Sequence, residues 1–451
     1  MEKIIQRGTK GCPLLKALKN CRLHESGWND LKTVCVFRGL AGCGKTTYAL
    51  HFMKGKTFFY FSFAGLDESL AEALFAEQVS AQVGRTVSGW ADSFRAISLR
   101  RKVILLDDLA ALTTYKRFHQ AFYDNMITDI HTRPFVVLIA QPSEDVEGLA
   151  DRYESASLDY FSIPEVMKLY PALSRYEALS LSAISGGIPQ ILREFDEQMP
   201  FEESLQKMLS PSYTFVRFMP DLLARYFRRP ENYHRILHAI AMGNQSVSEI
   251  GKFTGFAYNK CDNYLAGLIA CEIVEPEKVK SKRGAKKTAY RLTNYYFGLW
   301  YKYVFPKQTE VRLGTAPMTG EQIQKEAHAF HLQKALTHAN EHMRRKMWAS
   351  FEISEKLTYA PKRVVQGEFR YPFDAIVQHK DRAVFVKVFD DPIENCKKAE
   401  LERIRRAMSL VNVYYDSLVY IFTKRRFSDY AVAEAARDRA VKLVEVERLW
   451  G

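Results

Sequence analysis

An α/β fold with a parallel sheet at its front, followed by helical and smaller mixed units, is predicted by three features of the chain. The apolar run Val34-Cys35-Val36-Phe37 leads into a glycine turn and a helical stretch. A β-rich run at 57–61 and a helical stretch at 70–79 repeat the alternation of strand and helix that builds parallel sheets. A third apolar run, Val103-Ile104-Leu105-Leu106, ends in the carboxylates Asp107 and Asp108, at the strand end where open α/β sheets bind their ligands.

Taken in order, residues 1–33 read as a capping segment with a helix over 14–20. The turn that follows the first strand satisfies G-x-x-x-x-G-K-[ST] through Gly39, Gly44, Lys45 and Thr46. Gly39, Gly42 and Gly44 let the backbone close around a phosphate without Cβ clashes, and the N–H groups of Lys45, Thr46 and Thr47 open a helix whose positive end meets negative charge. Lys45 supplies a cation for the β- and γ-phosphates and Thr46 a hydroxyl for Mg²⁺. The predicted ligands are ATP and Mg²⁺; a glycine turn that merely joins strand to helix is the competing reading.

After the third strand, Asp107 is the expected Mg²⁺ residue and Asp108 the base that orients water, against the simpler reading of a helix N-cap. A further strand at 135–140 ends at Gln141, placed to sense the γ-phosphate, and Arg152 is a charge-stabilising arginine in cis or in trans. An ordinary loop glutamine and a surface arginine describe these two equally well. Gly186-Gly187-Ile188-Pro189 stops one helix and starts another.

Composition limits the partners. The 451 residues exceed a single core, and 65 basic against 52 acidic side chains leave a formal charge of +13, which favours a polyanion, nucleic acid first. Seven scattered cysteines without a C-x-x-C pair argue against a disulfide framework and for a reducing, cytoplasmic setting. No apolar run of 18 residues occurs, so no membrane partner is expected.

Behind the sheet, 201–229 is helical and closes at Arg228-Arg229-Pro230. From 232 to 292, three helical stretches and two strands joined by a basic loop predict a winged helix-turn-helix. The loop carries Lys278, Lys280, Lys282, Arg283, Lys286 and Lys287 and no acidic residue, which suits a phosphate backbone and a loop that orders on binding. A solvated hairpin on a protein-binding domain is the competing reading. The aromatic block 295–305 reads as a packed junction. Beyond a helix at 322–340, the strands around Asp374 and Lys387 resemble the metal centre of restriction-endonuclease-like folds, with Phe385 in the place of the second carboxylate and Glu326 as a distant substitute ligand. Clusters at Arg403, Arg405 and Arg406 and at 424–426 suit DNA or a solvated helix face.

The order of GLAGCGKTT, LLDDL, a polar residue after the fourth strand, and SGGIPQIL resembles the archaeal-type P-loop ATPases of the STAND and AAA-related group. That resemblance implies an α/β P-loop NTPase over 1–165 and a helical lid over 166–229, in which Gly187 and Pro189 contact the nucleotide. It also implies a winged helix over 230–298 and a degenerate nuclease-like α/β domain over 299–451. The chain departs from the family in having Asp107-Asp108 for Asp-Glu, and only Arg38 in place of an arginine-rich approach to the loop. The expected function is a nucleotide-dependent switch coupled to DNA, with a protein partner or a second copy of the chain as a further expectation. A non-hydrolysing, nucleotide-clasped scaffold and an ATP-dependent nuclease are the alternatives.

Overall fold

The computed structural model describes residues 34–53, 57–98, 103–109, 112, 115–127, 135–144, 154–280, 286–342, 362–366, 369–379, 382–389, 398–411, 416–423 and 427–445. The helix expected at 14–20, Arg152, Lys282, Arg283 and the cluster 424–426 lie outside these residues.

A parallel α/β sheet forms the front of the molecule. Its parallel strands are β1 Val34–Arg38, β2 Phe58–Ser62, β3 Val103–Asp107, β4 Phe135–Ala140 and β5 Glu154–Ser157, in the order β2-β3-β4-β1-β5. β3 buries every residue and β1 buries four of five, as central strands covered on both faces must. β2, at the edge, buries alternate residues. One sheet face packs on α2 Glu68–Val83, α3 Gly89–Ser98 and α4 Lys116–Phe122 through Phe59, Phe75, Trp90, Phe94 and Phe118. The other packs on α1 Lys45–Phe52 through Cys35, Phe37 and Tyr48. Asp67 caps α2 by accepting from Leu70 N–H, and Gly84 ends it in the left-handed region.

Helices α5 Ile163–Leu169, α6 Arg175–Ser185, α7 Pro189–Leu192, α8 Phe201–Met208 and α9 Thr214–Tyr226 follow. Capping boxes start α5 at Ser162 and Glu165, and α6 at Ser174 and Glu177. Next come α10 Glu231–Ala241, α11 Val247–Thr254, α12 Tyr258–Ala270 and the antiparallel strands β6 Val274–Lys280 and β7 Lys286–Leu292. Both strands run into the basic segment, to Lys280 on one side and from Lys286 on the other. Lys278, Lys280, Lys286 and Lys287 stand on a ladder that pairs Lys280 with Lys286, in which the backbone N–H and C=O groups find their partners across the two strands.

The aromatic block begins with α13 Tyr295–Leu299, and Tyr296, Trp300 and Tyr301 are almost wholly buried. One continuous apolar cluster joins Ala41, Leu181, Phe215, Leu237, Leu265, Trp300 and Ile323, so packing bridges the boundaries expected near 229 and 298. Two further helices, α14 Gln308–Arg312 and α15 Gly320–His342, follow. On α15, Glu326 departs from its expected part in a metal centre. It is 5% exposed and accepts hydrogen bonds from the hydroxyls of Tyr295 and Tyr303 and from Lys302, which hold its carboxyl below the ordinary range against the opposing effect of burial.

At the back, the hairpin β8 Lys362–Gln366 and β9 Phe369–Phe373 precedes a second sheet ordered β10 Ala375–His379, β11 Arg382–Phe389, β12 Asp416–Thr423 and β13 Val441–Glu445. β10 and β11 are antiparallel, whereas β11, β12 and β13 run parallel, with α16 Lys398–Val411 and α17 Asp429–Arg437 between them in the chain.

Candidate active site

The carboxyl ends of three adjacent strands, β1, β4 and β3, converge on one cavity of about 550 Å³. β1 delivers the glycine loop 39–44, β3 delivers Asp107 and Asp108, and β4 delivers Gln141. Gly42, Gly44, Lys45, Thr46 and Thr47 all line this space. Gly44 adopts φ +90° and has nothing within 4 Å of where a Cβ would stand. Gly39 instead serves packing: a Cβ there would lie 2.3 Å from the Leu158 carbonyl oxygen. Lys45 Nζ donates to the carbonyl oxygens of Gly39 at 2.6 Å and Leu40 at 3.0 Å, so the ammonium lies folded across its own loop.

The two carboxylates differ in setting. Asp107 is 5% exposed; its Oδ2 accepts from Thr46 Oγ1 at 2.6 Å and from Tyr60 Oη at 3.3 Å. Burial raises its pKa, and the Thr46 hydrogen bond opposes the rise. The same neighbourhood pushes the Tyr60 phenol up to about 12, first by burial and then by the Asp107 charge. Asp108 adopts φ +57°, a conformation uncommon for a residue with a Cβ. Its Oδ2 accepts from Ser62 Oγ at 2.6 Å.

Gln141 Oε1 is buried without a hydrogen-bond partner among the described residues, and its N–H donates to Glu144 Oε2 at 2.8 Å. Glu144 is itself buried, which pushes its carboxyl up to about 7. An orphaned acceptor, a free left-handed glycine and a Thr46–Asp107 oxygen pair fit a Mg²⁺-nucleotide, since Mg²⁺ takes few protein oxygens and the rest from phosphate and water. Among the described residues no group of three or more His, Cys, Asp and Glu side chains stands ready to hold a metal alone.

The cavity's other wall comes from the helices behind the sheet. Pro189, Gln190, Arg193 and Arg225 line it. Gly187 does not; it has φ +72°, and its carbonyl accepts from Phe161 N–H at 2.8 Å, so it fixes the turn that presents Pro189. Sequence reasoning missed Ser62, Tyr60, Glu144, Arg193 and Arg225. Ser62 was within reach, because it lies at the end of β2 in register with Asp107.

The other expected centres are more closed. Asp374 Oδ2 accepts from Val388 N–H at 2.7 Å and stands 3.8 Å from Lys387 Nζ, while Phe385 is wholly buried among Phe373, Leu401 and Val419. On the hairpin, Lys278 Nζ donates to Thr288 Oγ1 at 3.0 Å.

No protein-family model matches the chain. An uncharacterized protein of Methanocaldococcus jannaschii is 23% identical over 304 residues, which cover 63% of this chain and 67% of that protein. Among solved structures, the Walker-type ATPase of Pyrococcus abyssi matches with a TM-score of 0.47 at 13% identity, over 64% of this chain and 93% of that one. The ORC1 protein of Aeropyrum pernix, solved in complex with DNA, matches with a TM-score of 0.35 at 13% identity, over 69% of this chain and 96% of that one. At these scores the chemistry of the cavity rests on its own geometry. Among the described residues, no helix is long and apolar enough to cross a membrane.

Proposed function

We propose that the chain is an ATP-binding P-loop ATPase that works as a nucleotide-dependent switch coupled to DNA. The observation that carries this reading is the 2.6 Å contact of Thr46 Oγ1 with Asp107 at the floor of a cavity walled by the phosphate loop. In this reading Gly42, Gly44 and the N–H groups of Lys45, Thr46 and Thr47 bind phosphate oxygens, and Lys45 swings from its loop carbonyls to the β- and γ-phosphates. Bound Mg²⁺ supplies electrostatic stabilisation of the transferring phosphoryl group. Thr46 and Asp107 hold that ion, Asp108 orients the attacking water under the control of Ser62, and Gln141 offers its orphaned amide oxygen to the same water.

Helices α5–α9 act as the lid, with Pro189, Arg193 and Arg225 on its inner side. Helices α10–α12 with the β6–β7 hairpin act as a winged helix whose lysines meet the DNA backbone. The C-terminal sheet is a degenerate nuclease fold that binds without cutting, because Phe385 fills the place a metal-binding carboxylate needs.

ATP hydrolysis by the full chain, titrated with double-stranded DNA at low and moderate salt, tests the reading. Stimulation that fades with salt is expected, as is an approximately hundredfold loss of ATP affinity in Lys45→Ala, equivalent to about 3 kcal/mol. Unchanged affinity in that variant would refute the site. Tight binding without turnover under any condition would favour the nucleotide-clasped scaffold.

A further inference from the structure

We propose that Tyr226 is a positioning residue that ties the tip of the phosphate loop to the α10–α12 unit, so that nucleotide occupancy changes the order of that unit. The proposal rests on the reading of the cavity as a nucleotide site.

The loop tip is held by two phenols. Ala41 N–H donates to Tyr226 Oη at 3.1 Å, and the Ala41 carbonyl accepts from Tyr160 Oη at 3.0 Å. Tyr226 is the last residue of α9. The same helix meets the site twice more: a Cβ on Gly42 would lie 2.8 Å from Phe218, and Arg225 lines the cavity. One helix therefore touches the loop at its tip and its flank while lending a cation to the ligand space.

The next residue carries the connection onward. Phe227 stacks on Tyr233 of α10, with ring centroids 3.5 Å apart and planes within 13°. Tyr233 meets Tyr264 of α12 edge-on at 4.8 Å, and Asn232 Nδ2 donates to Tyr264 Oη at 2.7 Å. On the same helix, a Cβ at Gly267 would stand 3.3 Å from Tyr233 Oη and 3.4 Å from Phe227. An unbroken series of contacts thus runs from Ala41 to α12, through aromatic rings whose packed interior has little room to yield.

The competition that drives the coupling is local. The phosphate loop binds anions through its backbone N–H groups, and the single Ala41 proton cannot serve both a phenol and a phosphate oxygen well. A ligand that draws on this N–H, or that shifts the loop around it, weakens the hold of Tyr226. The half-buried hydroxyl must then re-pair, since a polar group held away from water without a partner is costly. Because Tyr226 ends α9 and Phe227 begins the contact with α10, the adjustment is delivered to the helix unit. Coupling of this kind requires a differential interaction at each end, and these two hydrogen-bonding states of Tyr226 supply it.

The test is hydrogen exchange of 231–241 and 258–270 in the full chain, with and without Mg²⁺ and a non-hydrolysable ATP analogue. Equilibrium titration of the same analogue is run alongside. In the unmodified protein, the analogue is expected to change exchange in both segments at least fivefold. Tyr226→Phe keeps the ring and removes the hydroxyl; it should reduce that change to below twofold while altering analogue affinity by less than about fivefold. Phe227→Leu, which leaves the Ala41 contact in place, should also abolish the change. Full retention of the response in Tyr226→Phe overturns the proposal. So does an unmodified protein that binds the analogue with no change in either segment. Failure of the unmodified protein to bind the analogue overturns the nucleotide reading itself, and the coupling with it.

Discussion

The glycine-loop cavity and the Asp374–Lys387 centre use the same materials, a carboxylate at a strand terminus and a lysine nearby, yet they differ in what is left to bind. Around the glycine loop, Gln141 Oε1 is buried without a partner among the described residues, Gly44 faces open space, and the Thr46–Asp107 pair borders a cavity of about 550 Å³. At the back sheet, the Asp374 carboxylate is engaged by the Val388 N–H, with Lys387 nearby, and wholly buried Phe385 sits on the same strand as that lysine. A site open to ligand keeps some of its hydrogen-bonding capacity unused, and a structural polar pair spends it internally. Residue identity alone does not separate the two.

Substitutions at each centre break or sharpen that contrast. The largest effect is expected from Asp108→Ala, which should lower ATP turnover about a thousandfold, or about 4 kcal/mol of barrier. ATP affinity, measured by titration, should change little. Comparable loss of binding and turnover would assign Asp108 to the ground state. At the other centre, Phe385→Glu restores the carboxylate in sequence but places it in an apolar core. Thermal unfolding should register a loss of about 3 kcal/mol or more, with no Mg²⁺- or Mn²⁺-dependent DNA cleavage gained. A stable variant that cuts DNA would show the two centres to be alike.

The smallest effect concerns pH. Burial holds the Glu144 carboxyl up at about 7, above its ordinary 4.5. Between these values the folded chain keeps a proton that the unfolded chain releases, so stability from this group is full below about pH 4.5 and is lost as pH rises through 7. Glu144→Gln removes that dependence. Relative to the unmodified chain, the variant should gain on the order of 2 kcal/mol of stability between pH 5 and pH 8, read as a difference in thermal unfolding. An identical pH profile for the two would place the Glu144 titration elsewhere. The Tyr226 exchange experiment extends the contrast, since it asks whether the open site communicates with the rest of the chain.

Gly44, Lys45, Thr46 and Asp107 were legible in the sequence because each depends on short-range rules. A glycine turn after an apolar strand has few alternative uses, and a carboxylate closing a buried strand lands at the sheet's ligand-binding edge. The partition of the back half was legible only as elements. Three helices and a hairpin were expected and are present, but the ladder runs on into the basic segment as far as Lys280 and Lys286, because strand pairing depends on a partner that local composition does not report.

What the sequence determined by itself was the parallel sheet, its loop and its acidic strand end, since hydrophobic period and turn chemistry are local properties. Tertiary structure alone decided that Ser62 holds Asp108, that Glu326 ties a buried aromatic junction together by accepting from Tyr295 and Tyr303, and that Tyr226 reaches across 185 positions of chain to Ala41. Those contacts arise when folding brings distant residues within hydrogen-bonding distance, where burial makes every unpaired polar group costly and so fixes which partners each one takes.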